Sequence, residues 1–165
     1  MKKAIVLSTI IIFMNSILLL ADCSNRLKTN FILNEDKVFD KNTKLTWFRC
    51  SLGTNWKDSV GCEGTPKLFY FNEALEDVKQ ISNGWRLPTI NELRSITEEE
   101  YENTIINTSV FPDIKNMTVF APYWSSTHVE NMPNLIYYID FIDNRLDAHS
   151  KGYSMFVRLV KSVNK

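Results

Sequence analysis

Gly84-Trp85-Arg86-Leu87-Pro88-Thr89-Ile90-Asn91-Glu92-Leu93 ends one helix, crosses a turn and starts another within ten residues. Gly84 follows the amphipathic run Ala74, Leu75, Val78, Ile81, where a left-handed helix C-cap places it. Trp85 and Leu87 alternate with Arg86, and Pro88 steers Leu87 away from helix, so the crossing is extended. Thr89 and Glu92 have capping-box spacing: the hydroxyl accepts from the third helical amide, and the carboxylate accepts from the cap's own N–H. The rest of the chain is expected to pack against this stretch.

Upstream, apolar positions recur at three and four residues over 72–82, with Asn72 as natural cap, which predicts the best helix of the chain. Downstream, a second helix is expected over 90–99, burying Leu93 and Ile96 and stopped by Glu98-Glu99-Glu100 at its negative end. Earlier still, Phe31-Ile32-Leu33, Val38-Phe39-Asp40 and Leu45-Thr46-Trp47-Phe48 are separated by turn residues and predict a β-meander. Residues 101–121 show no clean period and predict a long loop that wraps a core or carries a site. Strands return at Tyr123-Trp124-Ser125-Ser126-Thr127, over 136–141, and over 155–161 after a turn at Asp143-Asn144. Helices flanked by strands on both sides give an α+β fold with antiparallel sheets.

The same blocks carry a resemblance. Gly84-Trp85-Arg86-Leu87-Pro88-Thr89 with Glu92-Leu93 resembles the signature of the Lcl C-terminal domain family, a mostly bacterial exported domain largely without assigned function. Val38-Phe39-Asp40 with Thr43, Leu45 and Trp47 resembles the family's opening hairpin; Arg49-Cys50-Ser51-Leu52-Gly53, Trp56, Cys62 and Gly64 resemble its cysteine loop. Tyr123-Trp124-Ser125-Ser126-Thr127 and Phe156-Val157-Arg158-Leu159-Val160 resemble its tail, so the match runs over 31–160 in the family's order. The resemblance implies a C-type-lectin-like fold with the first and last strands brought together, distantly similar to formylglycine-generating enzymes. It also implies recognition of a glycan or a protein at the cell surface, as in the Lcl-type adhesins, which act through sulfated polysaccharides. Unlike those adhesins, this chain has no collagen-like stalk.

Residues 1–23 have a charged start, an apolar run over 4–20 and a polar exit, the pattern of a signal peptide; an uncleaved anchor and lipidation at Cys23 remain as alternatives. Residues 24–30 form a short polar tether and 31–161 a single domain. Export implies the periplasm, the cell surface or the medium, with no membrane span after processing. It also favours a disulfide between Cys50 and Cys62 over the competing zinc reading, because His128 and His149 stand alone. Formal net charge is zero, which removes the electrostatic footprint of a nucleic-acid binder, while 44% hydrophobic and 12% aromatic residues argue for a packed globule.

No catalytic set, metal site or cofactor motif emerges. Ser125 and Ser126 near His128 lack a nucleophile elbow, and Asp140, Asp143 and Asp147 read as turn chemistry before metal chemistry. Trp47, Trp85 and Trp124 are expected in the core, with Trp85, Arg86, Pro88, Thr89, Glu92 and Trp124 as the structural motif and Glu92 or Asp40 as partner for Arg86. Candidate ligand residues are Trp56 and Lys57 in the cysteine loop, and Arg145, His149 and Lys151 in a locally basic strip suited to a sulfated polysaccharide. The leading function is therefore a non-enzymatic exported binding module, with oligomer formation left open. An enzyme on a formylglycine-generating-enzyme-like fold and a structural envelope subunit stay open.

Overall fold

The computed structural model describes residues 30–162 apart from 82, 102, 103 and 118. The expected signal peptide, Cys23 and all of the tether but Asn30 lie outside the described residues. The architecture is α+β, with antiparallel pairing between the strands of every sheet.

The first sheet is the expected meander. Strands β1 (Phe31–Asn34), β2 (Lys37–Asp40) and β3 (Leu45–Phe48) pair in sequence order. Val38, Asp40, Leu45 and Trp47 face inward by strict alternation. Asp40, though buried, is satisfied by the turn it closes, accepting from the Asn42 amide and the Thr43 hydroxyl. The last strand, β13 (Val160–Ser162), joins this sheet against β3, so the order is β1-β2-β3-β13. First and last strands thus share a sheet but occupy its opposite edges rather than lying side by side.

A hairpin of β4 (Thr54–Lys57) and β5 (Gly61–Gly64) follows, clamped to the end of β3 by the Cys50–Cys62 disulfide. Strand β6 (Phe69–Tyr70) leads directly into helix α1 (Phe71–Ile81), which buries Phe71, Ala74 and Val78. The helix starts one residue before Asn72, which therefore stands in its first turn rather than at its cap. Helix α2 (Ile90–Ser95) has both reciprocal bonds of the capping box: the Glu92 amide donates to Thr89 Oγ1, and the Thr89 amide donates to Glu92 Oε2 at 2.7 Å.

α2 is shorter than expected. Residues from Thr97 onward leave it as strand β7 (Thr97–Tyr101), paired with β8 (Thr104–Ile106), because the β7–β8 ladder satisfies backbone groups that a longer helix would satisfy internally. The aperiodic stretch then turns into core: Ile105, Ile106, Val110, Phe111 and Ile114 are buried, the last at a 3-10 helix (Pro112–Asn116). A three-stranded sheet, β11-β10-β9, is built from β9 (Pro122–Val129), β10 (Met132–Asp140) and β11 (Leu146–Ser150), and β12 (Ser154–Met155) pairs with β6.

The decisive stretch joins the layers. Arg86 exchanges backbone bonds with Val160, and its guanidinium grips the Glu92 carboxylate bidentately at 2.6 and 2.7 Å. Trp85 stacks on Phe48 at 4.1 Å, and Trp124 donates its indole N–H to the Phe69 carbonyl. Burial alone raises the Glu92 carboxyl, but bonds from Arg86 and the Thr89 amide hold it below the ordinary range. Its contribution to stability is thus present at neutral pH and is lost as the pH falls below about 4. We expect Thr89→Ala to cost about 1 kcal/mol in urea unfolding at pH 7. A change within error would show that the box adds nothing beyond the Arg86 clamp.

Candidate functional site

Between the three-stranded sheet and the β6–β12 pair lies an open cleft of about 530 Å³. Its walls include Phe120, Tyr138, Arg145, His149 and Tyr153. Each comes from a different local cause. Phe120 is pushed outward because its neighbour Ala121 is buried and its backbone bonds Phe141 and Asp140. Arg145 and His149 lie at and on β11, whose pairing with β10 sets His149 opposite Ile136. Tyr153 sits in the turn entering β12, where its ring stacks on His149 at 4.1 Å. The result is a cleft walled by several rings, with Tyr153 and Phe120 about half exposed.

The charges around the cleft are mixed. Arg145 lies 3.4 Å from Asp143, an exposed pair of little energetic weight. Burial pushes the Tyr138 phenol up; Arg145 opposes this, while Asp147, Asp140 and Asp143 reinforce it. The strip expected to be basic is therefore interleaved with acids. Asp140 and Asp143 each accept from the backbone amide two residues on, the turn chemistry read from sequence, whereas Asp147 lies within β11 and accepts from the Ala148 amide. Among the described residues no trio of His, Cys, Asp or Glu is grouped to hold a metal.

The five ligand residues named from sequence divide between different surfaces. Arg145 and His149 line the cleft; Lys151 stands just past β11 with its ammonium 5.8 Å from the Phe71 ring. Trp56 lines a separate groove of about 560 Å³ with Glu35, Asp36, Phe48, Leu52 and Ile81. There the Arg49 guanidinium lies 4.1 Å from the Trp56 ring and donates to the carbonyls of Glu35, Ser109 and Val110, so one indole face is already occupied. Lys57 is paired with Glu63 across the hairpin. Phe120 and Tyr138 went unnoticed in the sequence; the only signal was the apolar Val119-Phe120 pair in an otherwise polar loop end.

The serines near His128 are engaged elsewhere. Ser125 donates to the Tyr137 carbonyl and Ser126 to that of Pro88, while the His128 ring meets the Pro133 carbonyl and packs edge-on to Phe71.

Beneath the surface, a buried polar cluster joins distant segments. Arg158 is 0% exposed and donates to Asp113 Oδ1 at 2.7 Å, to Ser51 Oγ, and to the carbonyls of Phe48 and Arg49. Ser51 in turn donates its amide to Asp113 Oδ2 and shares a short hydrogen bond with the Tyr123 hydroxyl. Burial lowers the Arg158 pKa, but Asp113 and Tyr123 outweigh it, so the guanidinium stays charged. Burial, with Asp113 beside it, pushes the Tyr123 phenol far above its usual value. The cluster is closed to solvent and acts as a structural tie. Sequence reading placed Arg158 in the closing block without a partner.

A family model for the Lcl C-terminal domain matches residues 36–161. The chain belongs to the Lcl C-terminal domain family. No curated protein and no solved structure matches it significantly. The matched segment of this Lcl C-terminal domain begins beside β2 and ends within β13, so it takes in the disulfide, the capping box, the buried cluster and the cleft. The disulfide is compatible with export, as is the lack, among the described residues, of any helix long and apolar enough to cross a membrane.

Proposed function

We propose that this chain is an exported, non-enzymatic binding module that holds a glycan in the cleft lined by Phe120, Tyr138, Arg145, His149 and Tyr153. The observation that carries the reading is the stacked His149–Tyr153 pair beside half-exposed Phe120, along an open trough. Flat aromatic faces in water offer apolar area to the C–H faces of sugars at low entropic cost. Exposed large apolar side chains also gather there: Leu68, Phe120 and Tyr153 line the trough, Val119 precedes Phe120 in the chain, and Tyr70 stands opposite the lining residue Ser154 in the β6–β12 pair. Such grouping marks an interaction site. Arg145 supplies a guanidinium for a sulfate, which suits the sulfated polysaccharides implied by the resemblance.

The test is titration calorimetry with a sulfated polysaccharide and its desulfated counterpart. Tyr153→Ala should weaken binding of both by about tenfold or more. Arg145→Ala should weaken only the sulfated form, and its affinity should fall as salt rises to a few tenths molar. Affinity untouched by Tyr153→Ala would exclude the cleft, and turnover of a substrate by the purified chain would replace binding with catalysis.

A further inference from the structure

The two larger sheets end in four edges, and the chain covers two of them. Beyond β13, Arg86 exchanges both backbone bonds with Val160; beyond β9, Phe156 and Pro88 take the ladder groups. A third edge, β11, is blunted locally: its Ala148 and Ser150 amides donate to the Asp147 carboxylate and His149 imidazole of its own strand. Only β1 is left bare among the described residues. Its sequence, Phe-Ile-Leu-Asn, has none of the charge, proline or bulge that normally guards an edge.

We propose that β1 is a self-association edge, on which two copies of this chain pair antiparallel about a two-fold axis passing beside Ile32. The register follows from the hydrogen-bond alternation. Asn30 accepts from Lys41, and Asn34 and Lys37 close a tight hairpin, so even-numbered residues spend their backbone groups on β2. Phe31 and Leu33 then point theirs outward. An antiparallel second copy satisfies both: Phe31 of each exchanges backbone bonds with Leu33 of the other, and Ile32 faces its own counterpart.

The side chains agree with this register. Leu33 shares the inner face of the sheet with buried Val38 yet is 50% exposed, because the sheet stops there. In the paired arrangement it meets Phe31 of the second copy and the core face continues across the axis. On the outer face, Ile32, 52% exposed, meets its own counterpart. The strand itself is uncharged, so self-pairing opposes no like charges. A four-residue strand makes a small contact, so the dimer should form with a dissociation constant of roughly tens to hundreds of micromolar.

Sedimentation of the chain as isolated, from about 10 µM to about 1 mM, should show reversible dimerisation. Leu33→Lys, at a half-exposed site, should keep the fold by circular dichroism and weaken the dimer by at least about tenfold. Independently, Ile32→Cys should crosslink to itself under mild oxidation, since directly opposed residues of this type lie about 4.5 Å apart, within disulfide reach. Thr46→Cys, two strands inward on the same face, should not. A monomer across the range, a dimer indifferent to Leu33→Lys, or equal crosslinking from Thr46→Cys would each overturn the proposal.

Discussion

Arg158→Ala should destabilise the domain by about 3–5 kcal/mol, the largest effect expected of any single substitution outside the hydrophobic core. The guanidinium is enclosed, and its neighbours depend on it. Removing it leaves Asp113 with a buried charge that, among the described residues, only the Ser51 amide still holds. It also leaves the carbonyls of Phe48 and Arg49 without their donor, and strips the cation from beside the Phe111 and Tyr123 rings at 4.7 and 5.4 Å. Asp113→Leu should be damaging for the same reason in reverse. The double substitution Arg158→Met with Asp113→Leu should cost clearly less than the sum of Arg158→Met alone and Asp113→Leu alone, because it buries no lone charge. Urea unfolding with a double-mutant cycle measures this. A loss below about 1 kcal/mol for Arg158→Ala would mean that water reaches the cluster and the tie is weak. The Tyr123 phenol adds a pH signature. Its folded value lies above an unfolded one near 10, so stability is full below about pH 10 and declines as the pH rises beyond it.

Loss of the Cys50–Cys62 bridge should cost about 2–4 kcal/mol, whether by reduction or by Cys50→Ser. The sequence separation is 12, and the bridged Cα atoms are 5.5 Å apart. The bond ties the end of β3 to a hairpin whose β4 residues are half-buried or exposed in alternation. The Arg49–Trp56 stack rides on the same hairpin, so reduction should change tryptophan fluorescence before global unfolding. Unfolding curves with and without reductant, followed by both fluorescence and circular dichroism, check this. Coincident curves at unchanged midpoint would show that the hairpin holds without its bridge.

Much of this architecture was legible because its causes are local. The capping box of Thr89 and Glu92, the left-handed Gly84 and the amphipathic run of α1 act within one or two turns of chain, so spacing alone announces them. The meander was equally clear, since alternation and turn residues set which face of each strand is buried. Arg86 found Glu92, six residues away and on the next element, for the same reason.

Where the cause is distant, residue patterns were mute. Glu98, Glu99 and Glu100 read as a helix terminus, yet they belong to a strand because β8 supplies a partner that local propensity does not register. The stretch after Tyr101 showed no period because its buried residues fill gaps left by other elements rather than lining one face of their own. The cleft depends on β9, β10 and β11 bringing Tyr138 and Arg145 toward Phe120 and Tyr153. Arg158 meets Asp113 across 45 residues and Ser51 across 107, contacts that leave no mark on either neighbourhood. The sequence by itself thus determined the opening meander, the body of α1, the capping box that starts α2, the favoured cysteine pairing and the family. Only tertiary packing decided which side chains share a surface or a buried cluster, because burial and charge pairing are properties of the assembled interior and not of neighbouring residues.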